Sequence, residues 1–223
     1  MENDKVIYTV ITGDYDSIIE PKMITPRWDY YCFTDNPNIK SKTWKFMPIN
    51  NQKGEANVLM SRRPKIRFFD HIEERHNLAI YIDANILIQC DLDAFIAKAL
   101  KNDDSMCTLE HPGWNCVYRE ADAIKRMGKA DPDKVDRQME RYKHEGFPSN
   151  FGQSAANLLI YRNHNISLNK HCSYWWDEFS NPENVQRDQL SFDYTLWKHN
   201  LITVSKMPYG ILNDQDFKWL PHG

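Results

Sequence analysis

The segment from Leu78 to Leu92, LAIYIDANILIQCDL, constrains the fold more than any other. It reads as an isoleucine-rich β-strand over 78–88, with Asp83 and Asn85 set into its middle. An isolated carboxylate in an apolar interior costs several kcal/mol unless something pairs with it. The strand must therefore surface at Asp83 or meet a partner there. In an extended strand Tyr81, Asp83 and Asn85 point to one face, and Ile80, Ile82 and Ala84 to the other. Asp83 and Asn85 then start roughly 7 Å apart, close enough to share an ion or a ligand. Both offer oxygen, which hard divalent cations such as Mg²⁺ and Mn²⁺ favour, often with phosphate oxygens completing the shell. The plainer alternative is a strand end whose aspartate caps a turn.

The rest of the chain alternates strands with helices. Residues 5–11, 30–33, 44–49, 106–110, 158–162 and 201–205 read as strands. Helical patterns cover 55–74, the segment after Asp91, the segment after Asp131-Pro132, 173–179 and 189–199. Pro64 interrupts the first of these, so the expectation is a helix that restarts at Arg62 with Ser61 as its cap. Val135, Met139 and Tyr142 share one face of the helix after Pro132, and Gly146 and Pro148 stop it. The charged stretch 119–150 reads as a helical insertion on the basic plan, and 206–223 as a loop-like tail. Such alternation implies an α/β fold, a mixed sheet flanked by helices in a single domain over 1–223. In such sheets ligands sit beyond the carboxyl ends of the strands.

Apolar residues make up 41% of the 223, enough for a substantial core, and the net charge of −3 argues against general nucleic-acid binding. The N-terminus, MENDKVIYTV, has no basic start followed by a long apolar run, and no segment approaches membrane-spanning length. The five cysteines are odd in number and form no CxxC, so reduced thiols in a cytoplasmic protein are expected.

Glycine-rich phosphate loops are missing: neither GxGxxG nor GxxxxGK[ST] occurs. A bound nucleotide would need cationic side chains or a metal at its phosphates. Ser61-Arg62-Arg63-Pro64-Lys65-Ile66-Arg67 supplies cations, with Arg62 and Lys65 three apart and able to face the same way. A solvated charge run is the alternative. Asp91-Leu92-Asp93 reads as a helix cap rather than a metal motif. Asp188, in Arg187-Asp188-Gln189, reads equally as a cap. His111 follows a strand and His222 lies in the tail; lone histidines are usually structural or exposed. No GxSxG elbow or HExxH is present.

In their order, YTVITGDYD, YYCFTDN, SRRPK, YIDANI, EHP…YREA, YKHEGFP, YRNH, WWDE, RDQLSF and LWK resemble a family of glycosyltransferase-like domains. The family includes plant members linked to mucilage and cell-wall polysaccharides, and many bacterial ones. It is similar in turn to the glycogenin-type retaining enzymes of GT-A fold. The resemblance covers about residues 5–199.

It implies a transferase that moves a sugar from a nucleotide-sugar donor, a UDP-sugar, to a glycan acceptor, with Mn²⁺ or Mg²⁺ assisting. Thr12, Gly13 and Asp14 would form the first nucleotide loop, Asp35 and Asn36 would lie near the base or ribose, and Arg62 and Lys65 near the diphosphate. Asp83 and Asn85 occupy the place of the metal-binding DxD, with His222 as a late ligand. Asp188 and Gln189 match the DQ pair beneath the transferred sugar. His111, Ser154 and Ala155 would belong to the acceptor or sugar side. Two departures stand out. The second DxD acid is Asn85, and Ser154-Ala155-Ala156-Asn157 stands where glycogenin-type enzymes have Asn-x-Gly. They keep open a catalytically impaired module that only binds its ligand; a nucleotidyltransferase would need a second carboxylate pair. Turnover separates the transferase from the binder.

Overall fold

The computed structural model describes residues 2–13, 15–49, 55–101 and 103–221. Its centre is a seven-stranded sheet. Strands β1 (Lys5–Ile11), β2 (Trp28–Thr34), β3 (Lys45–Pro48) and β4 (Leu78–Ile82) run parallel in the order β3-β2-β1-β4. The order continues through β7 (Ser154–Arg162), β6 (Met106–Glu110) and β8 (Val204–Met207). Strand β7 is antiparallel to both β4 and β6, while β8 runs parallel to β6.

Period-2 alternation decides which core each strand residue joins. On β1, Val6 and Tyr8 enter one apolar layer, and Ile7 and Ile11 the opposite one. On β4, Ala79 and Tyr81 go with Tyr8, whereas Leu78, Ile80 and Ile82 go with Ile7. The Tyr8 layer is closed by α1 (Asn57–Ile66), α5 (Ile166–Ser180) and α6 (Asp188–His199). The Ile7 layer is closed by α2 (Leu92–Ala99) and by β5 (Ile86–Ile88) paired antiparallel with β9 (Phe217–Trp219). Thus much of the region expected to be a loop-like tail is ordered: it holds a 3₁₀ turn over Tyr209–Asn213 and an edge strand.

Local chemistry explains the helices. Asp91 caps α2 by accepting from the Ala94 amide at 2.9 Å, as expected for an N-cap. Asp131 accepts from the amides of Asp133 and Lys134 at the start of α4 (Pro132–His144), whose first residue is the proline that position favours. Helix α1, by contrast, runs unbroken through Pro64 rather than restarting at Arg62. Ser61 sits mid-helix and donates to the Val58 carbonyl, so it caps nothing. Two buried tyrosines anchor the helix at the proline: Tyr8 donates to the Pro64 carbonyl and Tyr161 to that of Lys65.

The charged stretch after residue 119 is helical, as α3 (Val117–Arg126) and α4. Val117, Ala121, Ile124, Val135, Met139 and Tyr142 pack these helices together with Leu190 and Tyr194 of α6. This third layer holds α6 from the side opposite the sheet and fixes where its first residue, Asp188, lies.

Candidate active site

The strand over 78–88 is broken. β4 ends at Ile82, Asp83 to Asn85 turn, and β5 starts at Ile86 in the smaller sheet. The Ile86 amide closes the turn on the Asp83 carbonyl at 3.0 Å. The alternation over Tyr81, Asp83 and Asn85 therefore fails at its last member. Tyr81 and Asp83 do meet, with the tyrosine hydroxyl donating to Asp83 Oδ1 at 2.7 Å. Asn85 is buried and turned away, its amide donating to the Leu220 carbonyl at 2.9 Å while its own carbonyl accepts from the Leu220 amide.

Asp83 lies at the carboxyl end of β4 and lines a cleft of ≈550 Å³ with Lys65, Arg62 and Asp188. Arg62 and Lys65 come from one face of α1, as their spacing requires. The Lys65 side chain is only 3% exposed; it is ion-paired to Asp188 and reaches to 3.8 Å from Asp83. Arg62 approaches the same Asp188 oxygen at 3.5 Å. Burial alone would raise the Asp188 carboxyl, but the Lys65 ammonium and the Arg62 guanidinium hold it well below the usual carboxylate range. Burial, reinforced by the Asp83 charge, pushes the Tyr81 phenol well above its usual range, so it stays a donor to Asp83.

Sequence reasoning passed over Asn157 as a site residue. Its amide donates to Asp83 Oδ2 at 2.6 Å, and its carbonyl accepts from the Asp83 amide at 2.9 Å. Both strands are thus locked where β7 runs antiparallel to β4. A signal was present in the register of such a pairing, but it needs the pairing to be known. Ala156 and Asn157 line the cleft, whereas Ser154 and Ala155 do not. Ser154 is buried and bound through its amide and hydroxyl to Asp193, and the Ala155 carbonyl accepts from Thr108.

Thr12, Gly13 and Gln189 also line the cleft. Gly13 has φ +63°, and its amide donates to Asp35 at 3.0 Å. Asp35 is exposed and Asn36 shapes its own turn by accepting from the Asn38 amide; neither is among the lining residues. His111 stands apart as well. Its Nδ1 accepts from the Gly113 amide, its Nε2 is 3.3 Å from Glu120, and its ring stacks on Trp114. Asp14 and His222 lie outside the described residues.

Among the described residues no group of three His, Cys, Asp or Glu could hold a metal ion without help. A Mg²⁺ or Mn²⁺ shared with substrate phosphates asks less, often one or two carboxylates. Asp83 fits that requirement: its carboxylate is 26% exposed, lines the cleft and lies beside the cations that suit a phosphate.

The sequence pattern of the TOD1/MUCI70, glycosyltransferase-like domain family matches residues 1–220. The chain belongs to this family. No curated protein matches it in sequence. The TOD1/MUCI70 domain is also similar to solved glycosyltransferases. Mouse xyloside xylosyltransferase 1, in its apo form, aligns with a TM-score of 0.51 at 6% identity, over 90% of this chain and 84% of the other. GlyE, a glycosyltransferase of Streptococcus pneumoniae, aligns with a TM-score of 0.50 at 10% identity, covering 96% of this chain and 47% of its own. The bifunctional glycosyltransferase WbbM, apo, gives 0.50 at 8% identity, covering 93% and 39% respectively. These likenesses show a GT-A-type fold for the TOD1/MUCI70 domain. No helix among its described residues is long and apolar enough to cross a membrane. All five cysteines are free and buried.

Proposed function

We propose that this domain transfers a sugar from a nucleoside diphosphate sugar, a UDP-sugar, to a saccharide acceptor. The observation that carries the reading is the cleft at the end of β4, where Arg62 and Lys65 face Asp83 and Asp188. Without a glycine-rich loop, cationic side chains must meet the diphosphate, and Arg62 and Lys65 are the pair that stands beside Asp83. Thr12 and Gly13 line the cleft and suit the nucleoside side, Asp35 accepts from the Gly13 amide, and the family resemblance adds Asp14 and Asn36.

Transfer breaks the bond between the sugar's anomeric carbon and the diphosphate oxygen. The bonding electrons leave with the diphosphate, and Arg62 and Lys65 stabilise the charge that develops there. The acceptor hydroxyl forms the new bond at the anomeric carbon, and its proton passes to the departing phosphate, which gives retention of configuration. Asp188 and Gln189 orient the sugar, and the fixed negative charge of Asp188 favours the cation-like centre. A Mn²⁺ or Mg²⁺ held by Asp83 and the donor's phosphate oxygens, with His222 as the late ligand the resemblance implies and Asn85 turned away, would supply extra neutralisation of the leaving group. The hydrogen bonds donated by Tyr81 and Asn157 aim Asp83 for that task.

A thermal-shift series tests the proposal. UDP or a UDP-sugar with Mn²⁺ should raise the Tm, by roughly 2.7 kcal/mol of stability at one hundred times Kd. Asp83→Ala should lose the shift, and UDP release with an acceptor should then be measurable. If no nucleoside diphosphate moves the Tm under any metal, the reading fails. Affinity without UDP release would instead identify a binding module.

A further inference from the structure

We infer that a second cavity, adjoining the cleft, is the acceptor subsite and takes an anionic sugar, a uronate or a sugar phosphate; this rests on the glycosyltransferase reading. The cavity, ≈390 Å³, falls in the roughly 300–1,000 Å³ range of small-ligand sites. Lys129, Gln186 and Arg187 line both it and the cleft, so the two spaces meet beside Asp188. Arg62, Lys65 and Asp83 line only the first, and Lys134 and Asp131 only the second. Arg187 thus stands at the junction of the two spaces, next to Asp188 in the chain, where an acceptor hydroxyl in the second cavity would meet a sugar seated over Asp188.

Charge selects the kind of acceptor. The second cavity is lined by Lys129, Lys134 and Arg187 against a single carboxylate, Asp131. That carboxylate is already engaged, accepting from the first amides of α4. Lys134 donates to the Pro182 carbonyl, a neutral partner that leaves its charge uncompensated. Arg187 Nε is buried with no hydrogen-bond partner, though a buried donor left unsatisfied is costly. Its charge acts on Asp188 and Glu120 at longer range, yet it bonds to neither. A carboxylate or phosphate on the incoming sugar would offset the charge of Lys129, Lys134 and Arg187 in the cavity. Arginine suits that geometry because its planar fork meets such anions through paired hydrogen bonds.

Titration calorimetry on the full chain tests the inference with three probes: a uronic-acid trisaccharide, its carboxyl-reduced neutral counterpart, and a hexose 6-phosphate. Each is titrated with and without saturating UDP. The acidic trisaccharide should bind about tenfold tighter than the reduced one, the effect of a hydrogen-bonded charge pair. UDP should not displace it, and the preference should fall towards parity in the Lys129→Gln, Lys134→Gln double variant, whose Tm is checked first. Preference for the hexose phosphate alone would keep the anionic subsite and assign phosphate as its source. Equal binding of acidic and reduced sugars, no binding of any probe, displacement by UDP, or a preference that survives the double variant would each overturn it. Binding of UDP without any anionic preference would sink this inference alone. Anionic preference without UDP binding would sink the donor reading and leave the anion site standing.

Discussion

Lys65 and Asp188 form an ion pair at the floor of the cleft, with the lysine side chain 3% and the aspartate 11% exposed. The pair joins α1 to the first residue of α6, elements that sequence separates by more than a hundred residues. In the proposed reaction its members have opposite jobs, one meeting the leaving phosphate and the other the sugar. Removing one partner leaves a buried charge uncompensated, which typically costs about 3–5 kcal/mol. Asp188→Ala should therefore lower the urea midpoint by a corresponding amount and abolish transfer. Lys65→Met with Asp188→Leu should recover most of the stability and none of the activity. An unchanged midpoint in Asp188→Ala would mean that the pair carries no weight in solution.

His171 makes folding sensitive to acid. It is fully buried on α5, both ring nitrogens lack partners, and its ring meets Phe192 edge-on. Burial, helped by nearby His199, pushes its pKa down to about 4. The unfolded chain binds this proton near the usual histidine value of about 6.5. Below that pH the unfolded state takes up a proton that the folded state refuses, so stability falls as pH drops from about 6.5 to 4. Below about 4 the folded state binds it too and this contribution levels off; Asp188, whose pKa is depressed, then loses its own contribution as it protonates. Protonation of this histidine in the unfolded chain costs on the order of 3 kcal/mol of stability. Urea melts at pH 7.5 and 4.5 should show it, and His171→Phe should flatten the difference.

The architecture was legible where local chemistry decides it. Alternating β-branched runs marked the parallel strands, and Asp91 and Asp131-Pro132 marked two helix starts. Arg62 and Lys65 met in the cleft because three-residue spacing holds wherever a helix forms. The remainder depended on partners distant in sequence. Asn85 left the face of Asp83 because Leu220 bonds to it on both sides, which no window around residue 85 contains. Asn157 joined the site through antiparallel register with β4. Ser61 lost its capping role because Tyr8 and Tyr161 hold the helix together at Pro64. Val185, Leu190 and Tyr194 turned a charged segment into a packed layer, since charge on the outer face concealed the inner one.

Gly13 should tolerate no side chain. Its φ of +63° is left-handed, and a β-carbon there would come within 2.7 Å of the Asn57 amide. A left-handed conformation costs a non-glycine residue roughly 1–2 kcal/mol. Asn57 must also move, and both residues line the cleft. Gly13→Ala should cost about 1–2 kcal/mol in stability and weaken UDP binding by more than the control Gly128→Ala. Gly128 shares a φ of +63° but has open space around it, so its substitution reports backbone strain alone. Equal effects on UDP affinity in the two variants would show that the contact with Asn57 is immaterial.

Asn85→Asp looks like a repair, because it would restore the second acid of a DxD motif. The structure predicts the reverse. The Asn85 amide nitrogen donates to the Leu220 carbonyl in a site only 3% exposed, and an aspartate would set a carboxylate oxygen against that carbonyl. Two acceptors then face each other without a proton between them, and the penalty for a buried unsatisfied polar group is about 1–3 kcal/mol, more for a charge. The strain falls on the end of β9, which closes one apolar layer by pairing with β5. Asn85→Asp should therefore lower the Tm and increase hydrogen exchange across 217–220. Asn85→Ala, which removes the donor without adding a charge, should do less harm. Lowering the pH of the aspartate variant should recover part of the loss, since a protonated carboxyl can donate where the amide did. An aspartate variant as stable as the wild type, binding UDP more tightly with Mn²⁺, would instead show that residue 85 turns towards the metal.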